Sequence, residues 1–466
     1  MANPMVNRRQ FMAGSAKVGG AIALGGASLA ALLEACQSSS GGSAEASTIA
    51  VEVDEGQNAN PFQWFNGAMN SKFGVQTKSV GLPFVGQYEK IVSEMITRSS
   101  VYDVMVFPPQ MLGDFAAKGF LAPLDDLLNV SDLNMPDILP AYRDPGMKRN
   151  GKIYAAPYDG DILQLAYRTD IFQKAGIASP PTTWDEFVAI AKQLHNPPNQ
   201  YGNAFYGQRG FCYAWFINIF AANGGRWFDD SMNAGIASDA GVKALETLVE
   251  LKKYAPPNIL GIGYPELNEA YLSGKTAMVI QWDDLALKAE DATKSKVVGL
   301  NAYAACPVRS YMPYSRVMAV SAYSQNPHNS AKVVQFMSSS PIQAQFDYDP
   351  NCGEDPCRLS VLDPSLVKDH TGNPTMPATQ AASYVSAIKT GLQAGYPELS
   401  ITGAPRYLDI LDLKINEALA GSSSPSDALK SAAGEWDSIT GSLGKDGQLA
   451  AYHDWIQALS TAGVQY

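Results

Sequence analysis

The chain has 466 residues, 46% of them hydrophobic and 17% charged, with a formal net charge of -11. That composition supplies large apolar cores and excludes a disordered chain, while the length suggests two or three domains. The acidic balance repels nucleic acid and excludes it as a partner.

The N-terminus reads Asn7-Arg8-Arg9-Gln10-Phe11-Met12, then Lys17, then an uncharged stretch from Val18 to Leu33, which is the layout of a secretory signal. Paired arginines before Phe and a Gly-rich apolar core resemble a twin-arginine signal. The stretch is too short and glycine-rich for a stable membrane span. Leu33-Glu34-Ala35-Cys36 resembles the lipobox of bacterial lipoproteins, where the Cys sulfur receives diacylglycerol before cleavage; Glu34 departs from the usual small or apolar residue. A polar tether from Gln37 to Ser43 follows at once. The expectation is a signal over 1–35, a lipidated tether over 36–47 and attachment to the cell envelope through Cys36; the bland reading is an ordinary signal with an unrelated Cys. Removing residues 1–35 takes away three positive charges and one negative, so the net charge becomes -13.

Beyond the tether the chain alternates between strand and helix patterns. Thr48 to Val53 is strand-like, Pro61 to Phe73 reads as a helix, and Val75 to Val80 as a second strand. Tyr88, Ile91, Val92, Met95 and Ile96 make one apolar helical stripe before a buried-type strand over Tyr102 to Phe107. Lys152 to Ala156 and Ile162 to Tyr167 are strand-like. Thr183 and Glu186 form a capping box for a helix that buries Trp184, Phe187, Val188, Ala191 and Leu194. Helices are predicted over 213–223, 239–254 and 265–273, a strand over Thr276 to Trp282, another over Arg316 to Ala322, and a helix over Asn329 to Ser338. Asp347 to Pro377 is loop-rich, and Ser424, Pro425 and Asp427 start a helix whose Leu429, Ala432, Ala433 and Trp436 face inward. This alternation predicts an α/β fold.

With Cys36 assigned to the anchor, four cysteines remain in a chain read as exported, where thiols tend to pair. Cys352 and Cys357 flank the turn-forming Gly353-Glu354-Asp355-Pro356 and are expected to close a small disulfide loop. Cys212 with Cys306 is a possible second pair by elimination, two buried free thiols being the other reading. The four His residues are isolated from one another, so neither a metal site nor a cofactor is expected.

Several blocks together resemble the extracellular solute-binding proteins of bacterial ABC importers, in the group that includes maltose and other sugar binders. They are Tyr102 to Val106 with Phe115 to Asp125, Asn150 to Pro157 through Tyr167 to Asp170, Thr183 to Phe187, Leu272 to Met278, and Asn329 to Phe336. The resemblance covers nearly all of the mature chain, and the order and spacing of the blocks carry it. It implies two α/β lobes joined by a hinge, with a ligand cleft between them. The implied division is a first lobe over 48–156, a second over 157–312, a return to the first over 313–352, and a hinge loop with helices of the second over 353–466. Crossings are expected near Ala156 to Asp161, near Ser310 to Arg316 and near Cys352 to Arg358.

The implied function is capture of a small polar solute, a carbohydrate first, and delivery by a monomeric binding protein to the importer's membrane subunits. Sugar sites combine carboxylate or amide acceptors with flat aromatic platforms. Tyr158, Asp159 and Asp161 at the first crossing and Trp282 and Asp283 at a strand end have that chemistry. Family position adds Gln57, Asn58 and Gln110 from one lobe and Trp215 and Tyr407 from the other, with Trp64, Trp227 and Arg358 behind them. Each has a structural alternative: Trp64 as core of an amphipathic helix, Trp227 as the anchor of a turn, Asp159 and Asp161 as caps of hinge amides, Arg358 as partner of a structural carboxylate. Polyols, glycerophosphodiesters and polyamines are rival ligands; Arg209, Arg226, Arg358 and Arg406 leave an anionic one open. A secreted glycosidase using Asp159 with Asp161 or Asp283 with Asp284 is the enzyme alternative.

Overall fold

The computed structural model describes residues 47–312 and 316–466. The expected signal, most of the tether and Cys36 lie outside the described residues. Among those described, no helix is long and apolar enough to cross a membrane.

Strands account for two sheets and two short ribbons: β1 (Ser47–Asp54), β2 (Val75–Leu82), β3 (Val104–Phe107), β4 (Leu121–Ala122), β5 (Lys148–Arg149), β6 (Lys152–Ile153), β7 (Ala155–Asp159), β8 (Leu163–Arg168), β9 (Tyr201–Ala204), β10 (Thr276–Trp282), β11 (Asn301–Ala305), β12 (Tyr311–Met312), β13 (Arg316–Ser321) and β14 (Tyr396–Pro397). The first sheet runs β2-β1-β3-β13-β4, with β7 also paired to β13. β1 is parallel to β2 and β3, while β13 is antiparallel to β3, β4 and β7. The second sheet runs β11-β8-β10-β9. Each sheet carries its own helices, and the two make two lobes.

Side-chain alternation explains why the first sheet is buried on both faces. In β3, Val104 and Val106 join the main apolar core, whereas Met105 and Phe107 point the other way into a smaller core with Ile91, Met95 and Phe115. The stripe predicted at Tyr88 to Ile96 forms the helix Gln87–Ile96 that covers this second face. The capping box at Thr183 and Glu186 is present, and Trp184, Phe187, Ala191 and Leu194 are buried. The helix read over Pro61 to Phe73 is instead two, Asn60–Trp64 and Asn66–Phe73, broken at Phe65. Phe62 and Phe65, three residues apart, both reach the core.

The helices Cys212–Ala222, Asp239–Leu251, Ala404–Ala420 and Pro425–Leu443 enclose an aromatic cluster in the second lobe. Trp436 stacks near Trp227 at 6.2 Å and meets Tyr407 edge-on at 5.1 Å.

The expected Cys352–Cys357 disulfide is absent, and of the two readings of Cys212 and Cys306 the buried free thiols hold: all four cysteines are free and buried. Each thiol instead has its own hydrogen-bond partner. Cys352 Sγ donates to Glu354, Cys357 Sγ to Gln343 Oε1 at 3.3 Å, Cys212 Sγ to Asp412 Oδ1 at 3.0 Å and Cys306 Sγ to the Leu163 carbonyl at 3.1 Å.

Candidate functional site

Open α/β sheets collect ligands beyond the carboxyl ends of their strands, and a cleft of about 250 Å³ lies there. The first lobe supplies Asp54 from the end of β1, Glu55, Gln57 and Asn58 from the turn after it, Phe84, and Pro108 and Gln110 beyond β3. Arg316, opening β13, forms part of the same wall. The second lobe supplies Tyr206 after β9, Phe211, Tyr213 and Ala214 around the start of Cys212–Ala222, Tyr264 at the start of Tyr264–Leu272, and Trp282 with Asp284 at the end of β10. Asp161, Gly210, Pro265, Gly353 and Glu398 complete the lining.

Period-two alternation sorts the residues at the end of β10. Trp282 and Asp284 face the cleft, and Asp283 between them turns inward, where its Oδ1 accepts from the Ile162 amide at 3.1 Å. Likewise Asp161 faces the cleft, while Tyr158 is buried with its hydroxyl donating to the Asn58 carbonyl at 2.9 Å. Helical geometry does the same at Cys212–Ala222: Tyr213 and Ala214 line the cleft, and Trp215 turns into the core.

Arg316 is the one guanidinium or ammonium among the described lining residues. It pairs with Asp54 and, at 3.4 Å, with Asp159. Burial works to lower its pKa, but Asp54, then Asp159 and Asp161, hold it above the ordinary arginine value. Asp284 pairs with Lys288 and accepts from the Tyr264 hydroxyl. That hydroxyl in turn accepts from Gln57 Nε2 at 3.3 Å, a bond that crosses the cleft. Phe84 and Phe211 also meet across it, stacked with ring centres 5.9 Å apart. Glu398 is wholly buried, and burial pushes its carboxyl up to about 8, against the opposing pull of the Tyr311 and Tyr213 hydroxyls that donate to it. Gln110 adjoins Glu398 and donates to it once its side-chain amide is turned to bring the nitrogen toward the carboxylate.

Of the residues expected at the site, Gln57, Asn58, Gln110, Asp161 and Trp282 meet in the cleft. The others are placed elsewhere for visible reasons. Trp215 donates to the Ile280 carbonyl at 3.0 Å and Trp227 to that of Pro397 at 3.3 Å, both fully buried. Tyr407 shares a hydrogen bond with Thr440 at 2.8 Å inside the helical core. Arg358, 1% exposed, donates to the carbonyls of Ser338 and Leu133 and belongs to the loop packing. Trp64 stacks on His370 at 4.1 Å, away from the cleft. Asp159 stands behind the lining, bound to Arg316 and to the Asp355 amide at 2.8 Å. Asp283 and Tyr158 are turned away as described. Sequence reasoning passed over Arg316, Phe84, Tyr206, Tyr213, Tyr264 and Glu398. An aromatic just past a strand, as Tyr206 is, was the one legible signal.

The family of bacterial extracellular solute-binding proteins matches residues 57–344, more than half of the chain. The chain belongs to that family. A mannitol-binding protein of Pseudomonas aeruginosa is 29% identical over 224 residues, which cover 47% of this chain and 51% of that protein. The chain thus matches about half the length of this relative. Among solved structures, a solute-binding protein of Agrobacterium radiobacter K84 in complex with ribitol has a TM-score of 0.74 at 23% identity, covering 84% of this chain and 98% of its own. A maltose-bound protein of T. maritima has the same TM-score of 0.74 at 20% identity, covering 84% and 100%. These likenesses show that the two-lobed fold is that of the family's binding proteins.

Proposed function

We propose that this protein is the substrate-binding subunit of an ABC importer and captures a neutral carbohydrate or polyol between its lobes. The observation that carries the reading is the cleft itself, where carboxylates and amides alternate with aromatic faces from both lobes. Carboxylates and amides accept hydroxyl hydrogens, and Trp282, Tyr206 and Phe211 offer apolar faces to carbon-bound hydrogens. A volume of about 250 Å³ falls below the roughly 300–1,000 Å³ of pockets for larger ligands, which favours one sugar ring or an open-chain polyol. Bonds that cross the cleft, Gln57 to Tyr264 and Phe84 to Phe211, are of the kind that stabilise a closed form for recognition by membrane subunits.

An anionic ligand has less support, because Arg316 already faces Asp54 and Asp159. Arg209 is held by Asp409 and Asp412, and Arg358 is buried in its loop. Catalysis has no supporting observation in a family of binding proteins.

The test is calorimetry with mannitol, ribitol, glucose, maltose, glycerophosphodiesters and amino acids, preceded by a thermal-shift screen. Binding of a hexose or hexitol, weakened about two- to tenfold in Trp282→Ala as expected for loss of a ring contact of about 0.5–1.5 kcal/mol, supports the reading. A response confined to phosphodiesters or amino acids sinks it.

We further propose that export leaves the protein tethered to the envelope through a lipidated Cys36. Cys36→Ser is expected to release it to the soluble fraction. Retention of that variant in salt-washed membranes contradicts the anchor.

A further inference from the structure

Behind the cleft, two segments that run between the lobes bring their acids together. Asp159 and Asp161 lie at and just beyond the end of β7, and Asp355 lies in the loop from Gly353 to Arg358. One carboxylate oxygen from each lies within 4.8 Å of the other two, and all three residues are buried. The backbones are locked as closely: the Gly160 amide donates to the Asp355 carbonyl at 2.9 Å, and the Asp355 amide to Asp159 at 2.8 Å.

A second observation points to a missing positive charge. Asp355 is 0% exposed, its Oδ2 accepts from no N–H or hydroxyl donor, and its carboxyl lies within hydrogen-bonding reach of those of Asp161 and Asp283. Asp283 is also 0% exposed, and its Oδ2 likewise meets no N–H or hydroxyl donor. The cations nearby are already shared. Arg316 serves Asp54, Asp159 and Asp161, and Lys288 serves Asp284. Among the described residues, buried carboxylates here outnumber cationic side chains, and an uncompensated buried charge is strongly disfavoured.

We propose that Asp159, Asp161 and Asp355 bind a calcium ion that clamps the two segments of the hinge. The donors are all carboxylate oxygens, which select a hard cation over zinc or copper. Calcium accepts irregular oxygen cages at 2.3–2.6 Å, whereas magnesium keeps several waters and needs space for them. Through Asp161, which also lines the cleft, the ion adjoins the solute site. The inference stands whether or not the solute is a sugar.

The experiment uses the purified chain, stripped with chelator and then equilibrated with calcium, without any solute. Elemental analysis is expected to find about one bound calcium per chain. The melting temperature is expected to rise by about 3 °C at a hundredfold excess over Kd, and not with magnesium or sodium at matched ionic strength. Asp355→Asn keeps the side-chain shape and removes a charge. It is expected to abolish the calcium response while leaving the calcium-free melting temperature unchanged or higher, which a purely structural role for Asp355 would lower. Wild-type chain that binds no calcium overturns the proposal and leaves protons as the neutralising charge; a calcium response that persists in Asp355→Asn overturns it equally, by placing the ion elsewhere.

Discussion

Replacing Arg316 with Met removes the guanidinium on which the cleft wall converges. Its side chain is 13% exposed, and those of its partners Asp54 and Asp159 are 7% and 0% exposed. Water therefore cannot take over from the lost cation. Breaking a buried pair by removing one partner costs about 3–5 kcal/mol, because the other charge stays behind unpaired. Unfolding entropy of about 2.1 cal/mol/K per residue, over roughly 400 ordered residues, amounts to about 0.9 kcal/mol/K. The expected fall in melting temperature for Arg316→Met is therefore about 3–6 °C, measured by calorimetry at neutral pH. Adding Asp54→Asn removes one of the stranded charges and should recover part of that loss. A fall below about 1 °C, or no recovery in the double variant, refutes the view that this network is desolvated and coupled.

The remaining predictions concern Glu398 and Gly160. The folded carboxyl of Glu398 is raised from 4.5 to about 8 by burial, so the folded state holds a proton that the unfolded state has released across that interval. Its contribution to stability therefore falls as pH rises from about 5 to about 8. Glu398→Gln cannot titrate, so its melting temperature relative to wild type should climb over the same range; a constant difference between the two curves argues that Glu398 is ionised in the fold. Gly160→Ala would place a Cβ 2.4 Å from the Pro356 carbonyl oxygen and 2.8 Å from Cys357 Cα, both backbone atoms. The clash should destabilise by about 1–3 kcal/mol and loosen solute affinity by parting the hinge segments. Wild-type melting and affinity in that variant contradict the close packing described here.

Local signals were the legible part of this chain. The capping box at Thr183, the strand from Thr276 to Trp282 and the stripe from Tyr88 to Ile96 rest on short-range periodicity and hydrogen bonding, which neighbouring residues determine. β11 went unread because Asn301-Ala302-Tyr303-Ala304-Ala305 has no β-branched residue, and its pairing with β8 supplies what propensity does not. Within the site, polar residues next to strand ends were found. Large aromatics on helices were overcounted, since Trp215, Trp227 and Tyr407 serve the core as well as they would serve a ligand.

The sequence by itself determined that the chain is acidic and α/β, and the order of its motif blocks sufficed to place it among solute-binding proteins. Local pattern at strand ends singled out Asp161 and Trp282, and family position singled out Gln57, Asn58 and Gln110, all five of which line the cleft. Only the tertiary structure decided which carboxylate of each pair faces the cleft, that Arg316 closes an ion network 157 residues from Asp159, and that Asp355 meets Asp159 and Asp161 at the hinge. Such contacts join segments far apart in the chain, and no local periodicity encodes which of them fold together.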